Sequence, residues 1–167
     1  MNRIAQLIDS MTAYYANDPR RTAHFLKVYA YAKTIAHLEE ANDATRLIIE
    51  AAAVVHDIGI KVSEQKYHSS AGKYQELEGP PLAREMLNSL GFSQEVTERV
   101  CFLVGHHHSY ADIDGEDYRI LVEADLLVNI QEDGISAESA YAACDKLFRS
   151  PSAIAFLHRL FEDAGYS

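Results

Sequence analysis

The chain has little of what would mark several common kinds of protein. Only two cysteines, Cys101 and Cys144, occur in 167 residues, both in apolar helical surroundings. They read as packing thiols of a reducing compartment, and nothing in the pattern supports a disulfide. No apolar run reaches membrane-spanning length, and the opening MNRIAQLIDSMTAYY is amphipathic and lacks the apolar core of a signal peptide. A cytoplasmic protein with no membrane partner is the expectation. Basic residues are scarce: 15 Lys and Arg stand against 25 Asp and Glu, a net charge of −10. That excludes broad binding to extended nucleic acid, which needs a basic face to displace counterions. A small anionic substrate stays admissible, because a bound cation reverses the local sign. Internal repeats, low-complexity tracts, linkers and strand-like alternation are all missing.

What is present is helical periodicity almost throughout, and it predicts a single all-α domain over 1–167, a bundle of about seven helices. Ile4, Leu7, Ile8 and Met11 mark one face of an opening helix that stops near Asn17-Asp18-Pro19. A longer helix over about 20–40 carries Phe25, Val28, Tyr31, Ala32, Ile35 and Leu38 inward. The next, about 43–57, is almost wholly apolar after Arg46 and should be central. Residues 58–79 break the pattern with Gly59, Gly72 and Gly79 and read as a long functional loop. Pro80-Pro81 then opens a helix ending at Gly91, Ser93 caps another running to about Gly105, and a polar loop with HHHSYADIDG leads to the apolar helix DYRILVEADLLVNI. Helices over about 136–148 and 151–164 close the chain, and their exposed apolar positions are compatible with a homodimer.

Against this pattern four polar residues are misplaced. His24 precedes Val28 by four and Tyr31 by seven, on the inward stripe. His56 follows Ala52 by four and Ile49 by seven, Asp57 follows Ala53 by four, and Asp125 lies between Leu121 and Val128. A buried, unpaired carboxylate is very costly, and no Lys or Arg lies within the apolar runs that hold the two aspartates, AAAVV before Asp57 and ILVEADLLVNI around Asp125. Each residue could find a private hydrogen bond, but one divalent cation satisfies all four together. The mixture of imidazole and carboxylate suits Mn²⁺, Fe²⁺, Ni²⁺, Zn²⁺ or Co²⁺.

The order His24 … His56-Asp57 … Asp125, with the string HDIG and an Asp inside a late apolar helix, resembles the HD superfamily of metal-dependent phosphohydrolases over about Ala23–Asn129. The resemblance implies an all-helical metal-site core over about 20–130, and hydrolysis of a phosphate ester or anhydride, usually in a nucleotide. It implies His24, His56, Asp57 and Asp125 as metal ligands. Members with two ions carry an adjacent His pair, which maps to His106 and His107, and a lone His before it. Here that interval offers His68 and Glu78, so Glu78 is either a replacement ligand for the second ion or an acid favouring a helix N-terminus. With two ions Asp57 would bridge them; with one, His106 or His107 would bind phosphate or protonate the leaving oxygen. Members often carry a nearby lysine; Lys61 is the candidate here for offsetting phosphoryl charge, and Arg20, Arg21, Lys66 and Lys73 are weaker ones.

Other motifs fail. AGKY lacks the flanking residues of a phosphate loop, where Tyr67 and Tyr74 stand, and DIDGED puts Tyr110 at the first position of a calcium loop. It reads as a turn, with an Asp near Asp117 capping the following helix. No nucleophile elbow is present. The expected function is a cytoplasmic phosphohydrolase acting on a small phosphorylated substrate, with two alternatives: a di-iron oxygenase of the same superfamily, or a non-catalytic metal- or nucleotide-binding sensor.

Overall fold

The computed structural model describes residues 2–162. They form helices α1 (Arg3–Tyr14), α2 (Pro19–Leu38), α3 (Asp43–Val55), α4 (Ile60–Tyr67), α5 (Gly72–Ser89), α6 (Gln94–Val104), α7 (Glu116–Glu132), α8 (Ala137–Leu147) and α9 (Pro151–Phe161). No strand occurs among the described residues, as the periodicity predicts. The expected last helix extends to 164, and its final two positions lie outside the described residues.

Local chemistry sets the boundaries. Asn2, Asp18, Asn42, Ser93 and Ser136 each accept from backbone N–H groups of the turn that follows, satisfying donors a helix start leaves free. Pro19 opens α2 and Pro151 opens α9, where a missing N–H costs nothing. Helix α3 is buried from Ala51 to Val55 and packs on α1, α2, α6 and α7; α7 is buried along most of its length. These two helices are the axis of the core, and α8 and α9 close one side of it.

Three expectations need correction. Residues 58–79 are mostly helix: α4 fills the first part, and α5 begins at Gly72 and runs straight through Pro80-Pro81. The prolines remove the N–H partners of two carbonyls inside α5 yet do not start it. Glycine in this stretch serves close packing rather than a loop. A Cβ on Gly59 would stand 2.7 Å from Gln75 O and 2.8 Å from Gly79 N, and one on Gly79 would stand 2.6 Å from Val104 Cγ1. Finally, Asp117 does not cap α7, whose N-cap is Gly115. Its carboxylate accepts from Tyr118 N at 2.8 Å within the first turn and from Arg99 Nε at 2.7 Å, and Arg99 also forks onto Asp114 at 2.7 and 3.1 Å, fastening the loop before α7.

Candidate metal centre

Helix α3 ends at His56, and His56-Asp57-Ile58-Gly59 form a tight turn into α4, with Ile58 N bonded to Val55 O and Ile60 N to Asp57 O. Two carbonyls exposed by that turn are taken by α1. Tyr15 Oη donates to Asp57 O at 2.6 Å and Tyr14 Oη to Ile58 O at 3.1 Å. The turn is thus clamped from one side by tyrosine hydroxyls and from the other by the close approach of Gly59 and Gly79, which fixes the direction of His56 and Asp57.

The four residues singled out from the sequence converge. His24 Nε2 lies 3.2 Å from Asp57 Oδ2, 3.2 Å from Asp125 Oδ1 and 3.3 Å from His56 Nε2. His56 Nε2 lies 3.2 Å from Asp57 Oδ2 and 3.3 Å from Asp125 Oδ1. Side-chain exposure is 0% for His56, 5% for Asp125, 12% for His24 and 14% for Asp57, so the cluster is buried yet reachable. The outer nitrogens are fixed: His56 Nδ1 meets Ala53 O at 2.7 Å and His24 Nδ1 meets Glu132 Oε2 at 2.9 Å. A nitrogen that donates to such an acceptor leaves the lone pair of Nε2 pointing inward, the arrangement that supports metal-bound imidazole.

This donor set fits a divalent transition ion. Donors about 2.0–2.2 Å from one ion lie roughly 3 Å apart at ordinary coordination angles, and two imidazoles with two carboxylates suit borderline cations. Cation-free, the cluster must hold protons instead. Burial works against charge on His24, but the hydrogen bonds it donates to Asp125 and Asp57 outweigh it and lift the group to about 9. His56 is likewise raised, burial being overcome by the charges of Asp57 and Asp125. Burial pushes both carboxyls up, and the neighbouring imidazoles, His56 foremost, hold them below the usual range.

A second donor group comprises Asp57, His107 and His108. His107 is 1% exposed, its Nε2 lies 3.4 Å from Asp57 Oδ1, and its Nδ1 meets Val104 O at 2.9 Å. His108 Nε2 meets Gln75 Oε1 at 2.9 Å, and its backbone N donates to Glu76 Oε1 at 3.0 Å. Burial, then the neighbouring His107, lowers His108.

The other sequence candidates go elsewhere. His106 is exposed, stacks on Phe102 at 4.1 Å and bonds to Phe102 O at 2.6 Å. Helix α6 ends at Val104, so the following turn aims His107 and His108 inward instead. Glu78 faces α4, accepting from Tyr67 Oη at 2.7 Å and Lys66 Nζ at 3.0 Å. Gln75, three residues earlier on α5, reaches the centre in its place. Lys61 Nζ donates to Tyr14 O at 3.2 Å and covers the Tyr14 ring. Lys73 lies over the Tyr74 ring.

A cleft of about 570 Å³ opens over His24, Asp57, Asp125 and His108. Arg20 and Arg21 from α2 line it, as do Asn129, Glu132 and Asp133 from α7. Sequence reading missed Tyr15, Gln75, Glu132 and Asn129. Glu132 and Asn129 had a signal, falling seven and four residues after Asp125 on the same helix.

The HD domain matches residues 21–143. Among solved structures the chain is similar to the crystal structure, at 1.45 Å resolution, of a predicted HD superfamily hydrolase from an uncultured Thermotogales bacterium. The TM-score is 0.67 and the identity 19%, with 93% of this chain and 83% of that chain covered. No curated protein matches the chain. Among the described residues no helix is long and apolar enough to cross a membrane. A match over most of the length, carried by an HD turn whose two side chains meet a His from α2 and an Asp from α7, places this chain in the HD domain family.

Proposed function

We propose that the protein is a metal-dependent phosphohydrolase that cleaves a phosphate ester or anhydride in a small phosphorylated metabolite, in particular a nucleotide. The observation that carries this reading is the meeting of His24 Nε2 and His56 Nε2 with Asp57 Oδ2 and Asp125 Oδ1 at 3.2–3.3 Å, in a cleft open to solvent. A structural role alone would not need the cleft. The similar solved protein is described as a predicted hydrolase, in agreement with this class.

His24, His56, Asp57 and Asp125 would hold an ion, and when bound it supplies Lewis acidity, lowering the pKa of a water and drawing charge from a phosphoryl oxygen. The remaining work falls to the chain. Glu132 and Ala53 O keep the imidazoles oriented. Tyr15 keeps the Asp57 backbone in place. With Nδ1 committed to Val104 O, His107 presents Nε2 to Asp57 Oδ1, where it steadies that carboxylate and, with His108, would offer donors to a second ion. Arg20 lines the cleft one helical turn from His24 and would offset phosphoryl charge, the part Lys61 had been expected to fill, while Arg21 is engaged by Asp18 and Glu64. Two buried free thiols, Cys101 and Cys144, support a cytoplasmic setting.

Phosphate release from a panel of nucleotides and simple phosphate esters, with Mn²⁺ or Fe²⁺ supplied, tests the reading. Wild type should release phosphate from at least one class and Asp57→Ala from none. Equal inertness of the two across ions and substrates would defeat it.

A further inference from the structure

Away from the His/Asp cluster the molecule has a second concave site. A pocket of about 140 Å³ lies where the loop before α7, the first turn of α7 and the end of α8 meet. It shares no lining residue with the cleft over His24 and Asp57. Ile113 and Leu147 give it apolar walls, and its charged lining is basic throughout: Arg119, Lys146 and Arg149. No carboxylate lines it, whereas five acids line the cleft. In a chain of net charge −10, such a gathering of one sign runs against the rest of the surface.

Elsewhere the chain neutralises its cations: Arg21, Lys27, Arg84 and Arg99 each meet a carboxylate. The side chains of Arg119 and Lys146 make no hydrogen bond or ion pair among the described residues. Arg149 is held in place but not neutralised. Its Nη1 donates to Phe148 O at 2.6 Å and Asp145 O at 3.3 Å, and its Nη2 to Lys146 O at 3.1 Å, at the carbonyl end of α8. The Nε–H is left over. Glu123, one turn along α7 from Arg119, is buried and spends both oxygens on Arg149 N, Ser150 N and Ser150 Oγ. Arg119 acts on it through space, without a bond. Glu123 thus seats Arg149 against α7 and leaves the pocket unfilled. The Tyr110 hydroxyl is also without a partner among the described residues, and burial raises it, so it stays a donor. Three like charges gathered without a counter-charge repel one another, and an anion between them relieves that cost.

We propose that this pocket is a binding site for a phosphate group, either inorganic phosphate or the phosphoryl end of a small metabolite, separate from the His/Asp cluster. A phosphate group carries about −1.5 to −2 charge at pH 7, which three cations balance, and its several acceptor oxygens suit guanidinium donors. The volume is well below the roughly 300–1,000 Å³ of pockets that enclose whole small molecules. It accommodates the phosphate and leaves any attached body outside. Tyr110 and Ile113 belong to the loop that follows His107 and His108, so an anion shared with Arg149 ties that loop to the end of α8. The site stands or falls independently of the hydrolase reading.

The test records amide ¹H–¹⁵N spectra of the full chain loaded with Zn²⁺, titrated with inorganic phosphate, with ribose 5-phosphate, and with chloride at matched ionic strength. Both phosphates should shift the amides of residues 110–119 and 146–150, and chloride should not. The tighter of the two assigns the site to the free anion or to a metabolite's phosphoryl end. Arg119→Gln and Lys146→Gln should each weaken binding here by about tenfold. Lys146 is exposed and Arg119 half-buried, so both variants should keep the fold, which their spectra report. Arg20→Gln, in the cleft, should leave these shifts in place. Shifts confined to the surroundings of His24, Asp57 and Asp125, equal shifts with chloride, or titrations unmoved by Arg119→Gln and Lys146→Gln would overturn the proposal.

Discussion

His24 Nε2 stands 3.3 Å from His56 Nε2, while the other nitrogen of each ring is already engaged, by Glu132 and by the Ala53 carbonyl. Two imidazole nitrogens that face each other and two carboxylates have only two ways to be content. Either they hold protons or they share a cation. Several expected outcomes turn on that choice.

The first concerns pH. In metal-free protein His24 is lifted from 6.5 to about 9, so its contribution to stability is whole below pH 6.5 and is lost as pH rises through 9. Asp57 is held below its ordinary 3.8, so its contribution is whole above that value and is lost as pH falls through the lowered one. The melting temperature of metal-free protein should therefore drop between pH 6.5 and 9, and added Mn²⁺ should remove most of that drop. Binding of the ion expels imidazole protons, so its affinity should climb over the same interval. Thermal melts across pH with and without Mn²⁺ check both; a flat metal-free curve would contradict the assignment.

Glu132 is the carboxylate behind His24 and is itself steadied by Lys27. Partners of this kind typically contribute about 10–100-fold to metal affinity. Glu132→Gln should weaken Mn²⁺ binding by about tenfold and Glu132→Ala by more, with helical content unchanged by circular dichroism. Competition against a chelating dye measures it.

Gly59→Ala tests the clamp on the HD turn. The new methyl would meet Gln75 O at 2.7 Å and Gly79 N at 2.8 Å, both backbone atoms that cannot swing away. A loss of about 1–3 kcal/mol is expected from overpacking, with weaker metal binding, because the turn carrying His56 and Asp57 must move. Denaturant unfolding and a metal titration of the same variant should shift together.

Glu123 carries a separate, structural load. It is fully buried on α7, where burial raises its carboxyl, and it accepts from Arg149 N at 3.1 Å, Ser150 N at 3.0 Å and Ser150 Oγ at 2.6 Å. Glu123→Ala would strand those donors where α9 begins and should cost about 2–4 kcal/mol. Denaturant midpoints of wild type and variant give the value.

The His/Asp cluster was legible in sequence because burial makes polar residues conspicuous. His24, His56, Asp57 and Asp125 interrupt apolar stripes, and stripes have a direction. Legibility failed wherever no helix supplied one. After Val104 the chain turns, so nothing in HHH told that His106 would lie on Phe102 while His107 and His108 turned inward. Helix α5 was hidden by its Gly and Pro content, which reads as loop; that sent attention to Glu78 when Gln75 on the same helix holds His108. Lys61 was named because members of the superfamily often carry a nearby lysine, but it sits in the first turn of α4 and turns to Tyr14. Glu132 was visible seven residues past Asp125, but an acid near a helix end looks like solvated surface until His24 is found beside it.

The metal content of protein purified without added ions, by elemental analysis of wild type and of Asp125→Ala, tests the central claim most directly. Wild type should carry a transition ion in stoichiometric amount, and folded Asp125→Ala should carry almost none. Wild type free of metal that also fails to take up Mn²⁺, Fe²⁺ or Zn²⁺, or a variant that keeps its full complement, would show that these side chains serve the fold alone.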